Sequence, residues 1–424
     1  MVTRALLTRL LPAAALLLGL PAPAAMASAA TGASGPVTPQ CAWGTVVSAT
    51  TRNVAFPDTA ATYWVTPFTV QDGLDITFTG QYPDSRYAQF SVYSASGGLF
   101  TTNGIRSALT DYQIEPDHGS VNPWQHIAPA GGRFTVTVSS DAAPGQLNTL
   151  PLAPAGTASG STGYLIYRVY LPAGGDFSAV KLPPLTFTAG GSSQQVPVCT
   201  TNAERRLPAG LAARASRAAA PAATSGTVSF TRSTGTTSLF PNADSAYLVA
   251  AVTPPGGSDV VVIRAKAPTS STGSHPVRWP DPAVDMRYWS MCDNLLSSPF
   301  PVVINTLPGG RTDDGCRYDS QARLDRSGYY TFVVGTEAQR AAIDAIPGTT
   351  FIPFSSAEPT ATHLLMLRNM LVSPGFAQAI ENVPPGSSAA TAAAVMGPYY
   401  PQAAVCPLAT LAAKGPAACV AGTP

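Results

Sequence analysis

The stretch Phe240-Pro241-Asn242-Ala243-Asp244-Ser245-Ala246-Tyr247 constrains the fold most, because Phe56-Pro57-Asp58-Thr59-Ala60-Ala61-Thr62-Tyr63 repeats its pattern with the same internal spacing. Later landmarks recur in the same order, with offsets that drift as loops lengthen or shorten. Pro83, after the run from Asp75 to Tyr82, finds Pro268 after the run from Val261 to Ala267, and Phe90-Ser91 finds Trp289-Ser290. Asp111, Gln113 and Asp117 find Asp319, Gln321 and Asp325. The run Gly132 to Val138 matches Gly328 to Val334, Leu150-Pro151-Leu152 matches Ile352-Pro353-Phe354, and Arg168 matches Arg368. Ordered recurrence of this kind reads as a tandem duplication of one unit.

The unit reads as β. Tyr63 to Phe68, Asp75 to Gly80, Tyr87 to Tyr93, Phe134 to Val138, Tyr164 to Leu171 and Leu185 to Phe187 are short β-prone runs separated by Gly, Pro, Asp or Ser turns. Gly 37 and Pro 41 fit many short strands joined by turns. The expectation is a mainly β chain of two tandem β-sandwich domains, jelly-roll-like and related by internal duplication, with few short helices. The first spans residues 41–200 and the second 225–395, joined by an Ala/Arg/Pro linker over 201–224 in which Leu211 to Ala220 favours a short helix. In the second domain, Thr336 followed by Glu337-Ala338-Gln339 is a capping-box pattern that opens a short helix closed by Pro347-Gly348, and Phe376 to Asn382 is a shorter helical candidate. Residues 396–424 read as a strap.

Arg4 and Arg9 precede an apolar run from Leu10 to Leu20 and small residues up to Ala29, the pattern of a secretory signal peptide over 1–27. Residues 28–40, small and polar, read as a disordered mature amino terminus. No later stretch reaches the roughly 18 uninterrupted apolar residues of a membrane span. The expectation is therefore a secreted or envelope-associated protein, free of the membrane once the signal is removed. Cys41, Cys199, Cys292, Cys316, Cys406 and Cys419 all lie in the exported part, and an even count there favours disulfides. Cys41 and Cys199 bracket the first repeat, so the expected pairs are Cys41 with Cys199, Cys292 with Cys316 and Cys406 with Cys419. A net charge of +1 with 11% charged residues leaves no basic footprint for nucleic acid or for anionic membranes.

The residues Pro241-Asn242-Ala243-Asp244-Ser245-Ala246-Tyr247 with Met286-Arg287-Tyr288-Trp289-Ser290 resemble the Pro-Asn-x-Asp-Thr-x-Tyr and Arg-Tyr-Trp-Ser signatures of a bacterial domain-of-unknown-function family, number twelve-fifty-four. Asn148-Thr149-Leu150-Pro151-Leu152 and the run Tyr164 to Pro172 are similar to its frequent companion, family twelve-fourteen. The resemblance bears on fold and implies no chemistry. The first repeat departs from the signature, with Asp58 in place of Asn and Ala60 where the second carries Asp244.

No serine-hydrolase elbow, zincin motif, phosphate-cradling loop or EF-hand loop is present, the four histidines are too sparse for a metal cluster, and no metal or cofactor is implied. The recurring Asp111/Gln113/Asp117 and Asp319/Gln321/Asp325 sets are the strongest polar candidates. A carboxylate beside an amide can bind sugar hydroxyls, and a second carboxylate supplies acid/base chemistry. The alternative is that they serve backbone groups in a loop. Arg168 and Arg368 interrupt apolar runs, so each needs a carboxylate or an open face, with Asp111 or Asp117 and their counterparts as partners. Asn242 and Asp244 suit either ligand binding or an Asx turn. Trp124, Trp279 and Trp289 with Tyr399 and Tyr400 form a candidate sugar-stacking surface or part of the core. Trp279, Asp281, Asp285 and Arg287 form the most charged neighbourhood of the second repeat. The function expected is binding or organising an extracellular or cell-wall glycan. The alternatives are a glycan hydrolase using the Asp111/Asp117 or Asp319/Asp325 pair, and a purely structural surface protein. Nothing in the sequence specifies an oligomeric state.

Overall fold

Alternation of apolar and polar residues makes strands of the expected runs, and the computed structural model describes residues 35–200, 228–233 and 240–423. The expected signal peptide and linker lie outside the described residues. The chain is mainly β, with several antiparallel sheets and few short helices.

In the first half, one sheet runs Thr45–Val47, Ala61–Thr69, Thr162–Pro172, Ser85–Tyr93, Ala108–Thr110. A second runs Ser192–Val196, Leu185–Ala189, Asp75–Gln81, Arg133–Ser139, Thr149–Pro151, its last pair parallel. Their facing sides share one apolar core that includes Trp64, Phe90 and Tyr167 from the first sheet and Phe78, Val136 and Phe187 from the second.

In the second half, the corresponding orders are Thr231–Arg232, Ser245–Val252, His363–Val372, Met286–Leu295, Cys316–Tyr318 and Thr349–Pro353, Tyr329–Gly335, Asp259–Lys266, Gln402–Pro407. Again one parallel pair sits at the edge of the second sheet. The residues read as a terminal strap therefore supply a strand, Gln402–Pro407, antiparallel to Asp259–Lys266, at the place that Leu185–Ala189 occupies beside Asp75–Gln81. Helices Leu408–Lys414 and Pro416–Val420 then fold back, and Leu411 and Val420 cover Val260 and Val262 on the outer face of that sheet. Burial on both faces is why Val260 to Ile263 is an unbroken apolar run rather than an alternating one.

The capping pattern at Thr336 behaves as written: Gln339 Oε1 accepts from the Thr336 N–H at 2.8 Å and the helix Arg340–Asp344 follows. The Phe376 to Asn382 candidate is helical only as the short 3₁₀ turn Ile380–Asn382, and the helix Ala389–Met396, capped by Ser388, comes after it.

The described residues form one compact unit. Strands Ser85–Tyr93 and Met286–Leu295 are buried at every position, since one face meets its own core and the other meets the opposite half. Three disulfides join Cys41 to Cys199, Cys292 to Cys316 and Cys406 to Cys419. Cys41–Cys199 closes the first half over a separation of 158 residues. Replacing both with Ser is expected to lower stability by about 2–5 kcal/mol, read from the denaturant midpoint of oxidised protein.

Candidate functional site

The halves meet across a buried polar layer, and most of the candidate residues lie in it. Asp111 opens a 3₁₀ turn, Asp111–Gln113, that Gln113 secures by accepting from the Thr110 N–H at 3.1 Å. The turn holds the carboxylate against the N–H groups of Ala88 (2.7 Å) and Tyr112 (2.6 Å). Arg287 of the other half donates to both its oxygens, at 2.6 and 2.7 Å. The opposite half repeats the arrangement. Gln321 accepts from the Tyr318 N–H at 3.1 Å, and Asp319 receives Arg86 at 2.8 and 2.6 Å. All four charged side chains are 3% exposed or less, so these pairs are sealed from water. The two glutamines are turn-makers.

A second reciprocal exchange involves two arms, Phe56 to Tyr63 and Phe240 to Tyr247. Asp58 reaches into the second half, where Arg368, Tyr288 and Ser290 all donate to it, the latter two at 2.8 Å. Its own turn closes on the Ala60 N–H at 2.9 Å. In return, Asn242 and Asp244 reach into the first half. Tyr87 donates to both at 2.9 Å, Gln89 Nε2 donates to Asp244 at 2.7 Å, and Thr110 also donates to Asp244. Arg168 meets no carboxylate among the described residues. It donates to Gln89 Oε1 at 3.2 Å, to the Tyr93 hydroxyl at 2.7 Å and to the carbonyls of Phe240 and Pro241. Gln89 thus bridges the guanidinium to Asp244.

The partners expected for Arg168 and Arg368, the aspartates of their own half, are therefore not the ones found. Register also corrects one sequence match: Gln89 lies opposite Arg168 and Ser290 opposite Arg368, so Phe90-Ser91 answers Met291-Cys292. Arg86, which pattern reading passed over, sits in an equivalent place to Arg287. A basic residue inside a strand otherwise rich in Tyr, Phe and Val was the signal available.

Burial raises the Asp111 carboxyl to about 6, with Arg287 and the two N–H donors opposing the shift. Asp319 shifts upward for the same reason, opposed by Arg86. In each pair one guanidinium nitrogen, Nη1 of Arg287 or of Arg86, spans both carboxylate oxygens, a charge-assisted contact that favours the ionised form. Asp117 and Asp325 lie elsewhere. Asp117 accepts from Thr135 at 3.1 Å, while Asp325 pairs with Arg264 at 2.5 Å. Partial burial pushes the Asp325 carboxyl up, but Arg264 and the N–H groups of Tyr329 and Ser327 together hold it below its ordinary value. Asp281 and Asp285 accept from loop N–H groups, at Ala283 (2.9 Å) and Thr269 (2.8 Å). Trp279 is buried, its ring 4.9 Å from the Arg287 guanidinium. Asp58 lies close to Cys292 and Cys316, but both sulfurs are in a disulfide and leave no thiolate for a metal.

A small crevice within the second half, with room for about 10 Å³, is lined by Lys266, Trp289, Tyr330, Asn369, Gln378 and Tyr399, among others. Trp289 and Tyr330 stack at 5.2 Å, and Phe376 stands edge-on to Tyr399 at 4.9 Å. Of the candidate aromatics, Trp124 and Trp289 are core, Trp289 also touching the crevice, Tyr399 is half-buried at its rim, and Tyr400 bonds Phe230. Lys266, Tyr330, Asn369 and Gln378 carried no motif that marked them.

No protein-family profile matches the chain, and no curated protein does. It is similar in structure to an uncharacterised protein from Burkholderia cenocepacia, with TM-score 0.46 and 13% identity over 85% of this chain and 79% of that one. It is also similar to the VPA0106 protein from Vibrio parahaemolyticus, with TM-score 0.41 and 12% identity over 82% and 89%.

Arg287→Met leaves the Asp111 carboxylate buried without its counter-ion and is expected to lower stability by about 3–5 kcal/mol in chemical denaturation. Adding Asp111→Leu should recover about half of that, because the Ala88 and Tyr112 N–H groups then lose their acceptor. A second measurable group is Glu381, whose Oε2 is buried without a partner among the described residues and whose carboxyl burial raises to about 7. A folded pKa above the unfolded one means that this contribution to stability is present below about pH 4.3 and lost as pH rises through 7. Glu381→Gln, which resembles the protonated form, should match wild type at pH 4 and exceed it by on the order of 2–3 kcal/mol at pH 8.

Proposed function

We propose that the chain is an exported protein of two duplicated, jelly-roll-like β-sandwiches that binds or organises a glycan of the cell envelope or its surroundings. Duplication is supported by the matching strand orders, by the parallel edge pair in each half and by the reciprocal exchange of arms and ion pairs. Export is supported by three disulfides, bonds that persist in oxidising compartments, together with the Arg-plus-apolar amino terminus. Membership of families twelve-fifty-four and twelve-fourteen belongs to the same proposal. The arm Pro241 to Tyr247 and the strand around Arg287 to Ser290, which carry that resemblance, contribute Asn242, Asp244, Arg287, Tyr288 and Ser290 to the layer between the halves.

The observation that carries the binding reading is the half-buried Tyr399 ring with the Lys266 ammonium 5.5 Å from its centroid, at the rim of a small crevice in the second half. The crevice itself has room for about 10 Å³, the space of one water, so a sugar ring would rest on Tyr399 at the surface rather than enter. Hydrolysis by the aspartate pairs draws no support from the geometry. A general acid must reach the leaving oxygen, and Asp111 and Asp319 are sealed against arginines.

The purified mature protein should be depleted from solution by insoluble cell-wall polysaccharide without release of reducing ends. Tyr399→Ala, which removes a half-buried wall of the crevice, should reduce depletion about tenfold or more. Release of reducing ends that stops in Asp319→Asn would replace this reading with the hydrolase.

A further inference from the structure

We infer that the outer face of the first half's second sheet is a track for a single neutral glycan chain of the extended cellulose or chitin type, laid across the strands. The inference rests on the glycan reading above and names the class of chain for a second surface.

Side chains alternate between the two faces of a strand. Here the inward set is the apolar core and the outward set is rich in hydroxyls. Register places Gln195, Thr186, Thr77, Thr137 and Thr149 side by side, one from each strand of the sheet. All are at least partly exposed, so nothing among the described residues covers the row. Neighbouring strands lie about 4.7–4.9 Å apart, and the row offers a hydroxyl or an amide at each such step. One sugar of an extended, ribbon-like hexose chain advances by a similar distance, which lets successive sugars meet successive strands. Threonine suits such a chain twice over: its methyl lies against the C–H face of a ring, and its hydroxyl both donates and accepts. Thr77 and Thr137 share one hydrogen bond at 3.2 Å, which orients both hydroxyls and leaves one O–H between them to offer. Asp75 stands in the row on one side, and on the other Thr135 donates to Asp117 at 3.1 Å, so an acidic polymer would meet repulsion. The twist of a sheet lets one chain follow one row but spoils the match to a flat lattice of many rows, which favours a single chain over a crystal or ice surface.

The second half supplies an internal contrast. At the places that register makes equivalent to Thr186, Thr77, Thr137 and Thr149 it carries Ala404, Val262, Val333 and Phe351. Val262, Val333 and Phe351 are buried in one cluster with Leu411 and Val420 of the terminal helices, and among the described residues no strand there answers Ser192–Val196. A preference of strands for branched side chains would explain Val as readily as Thr, so it does not account for the hydroxyls. The fold calls for neither the uncovered face nor the polar row upon it.

Calorimetric titration of the full mature protein with cellohexaose, chitohexaose, cellotriose and maltohexaose tests this, the last being a curved chain that does not lie along a straight row. The expected result is binding of cellohexaose or chitohexaose about tenfold tighter than cellotriose or maltohexaose, with little dependence on salt. Thr77→Val combined with Thr137→Val installs the residues that the second half already carries, so the fold is kept, and it should weaken the hexaose about tenfold. Hexaose binding that survives the double variant would overturn the track, and its loss in Tyr399→Ala would then leave the glycan reading standing at the rim of the crevice. Equal affinity for cellotriose or maltohexaose would likewise overturn the track alone. Inhibition of ice growth that the double variant abolishes, without hexaose binding, would assign the row to ordered water instead. No binding of any of the four would overturn the track, and if insoluble cell-wall polysaccharide also fails to deplete the protein, the glycan reading falls with it.

Discussion

The two crossed ion pairs, Arg86 with Asp319 and Arg287 with Asp111, are the interaction on which the rest of the structure depends. Removing an ion from water costs several kcal/mol even after relaxation, and only close geometry with further hydrogen bonds offsets it. Here each carboxylate receives a guanidinium on both oxygens and at least one backbone N–H. Those contacts exist only when the halves are together. Separating them would strand two arginines on strands that are buried at every position and two aspartates on the turns beside them. The halves therefore behave as one unit, and the ion pairs fix their mutual register in a way that apolar contact alone, which tolerates sliding, does not.

The arms follow from the same constraint. Phe56 and Phe240 each take a left-handed backbone conformation, φ 58° and 49°, costly for an aromatic residue. Each is held in it by the opposite half. The Phe56 ring lies 5.0 Å from Phe300, and the Phe240 ring 5.2 Å from Tyr93 and 5.4 Å from Tyr164. The strained residue turns the chain so that the polar group two or four positions on, Asp58, Asn242 or Asp244, enters the interface. Asp58 neutralises Arg368 directly, whereas Arg168 is linked to Asp244 through Gln89. The same layer is thus built with a carboxylate on one side and an amide relay on the other.

Much of this was legible in the sequence. The six strand runs of the first half and the three disulfide pairs could be read because strand alternation, turn residues and bracketing cysteines are local signals. The polar candidates were found but misassigned. Buried aspartates and arginines announce themselves by interrupting apolar runs, yet a linear pattern does not say which half of the chain supplies the partner. The off-by-one match of Phe90 with Trp289 has a related cause: two aromatic residues look alike in a pattern, while register is set by the strand opposite. The strand Gln402–Pro407 was hidden because it lies far along the chain from the strand it pairs with. The crevice was least legible, since Lys266, Tyr330, Asn369 and Gln378 come from separate segments with no motif among them.

What distinguishes the halves is how each closes the end of its core. In the first, Trp124 comes in from the long loop after Asp111, donates its indole N–H to the Arg86 carbonyl at 3.3 Å, and packs beside Tyr82. In the second, the loop after Asp319 is shorter and brings no tryptophan, and the space is walled instead by Phe376, Met396 and Tyr399 from segments beyond the last long strand. A core closed by side chains of its own loop is complete in itself. A core closed by later segments leaves only a small hollow beside a lysine and a tyrosine hydroxyl that has no partner among the described residues. The closure of the second core therefore depends on segments far along the chain from its strands, while the crossed ion pairs hold both halves together whichever way each core is closed.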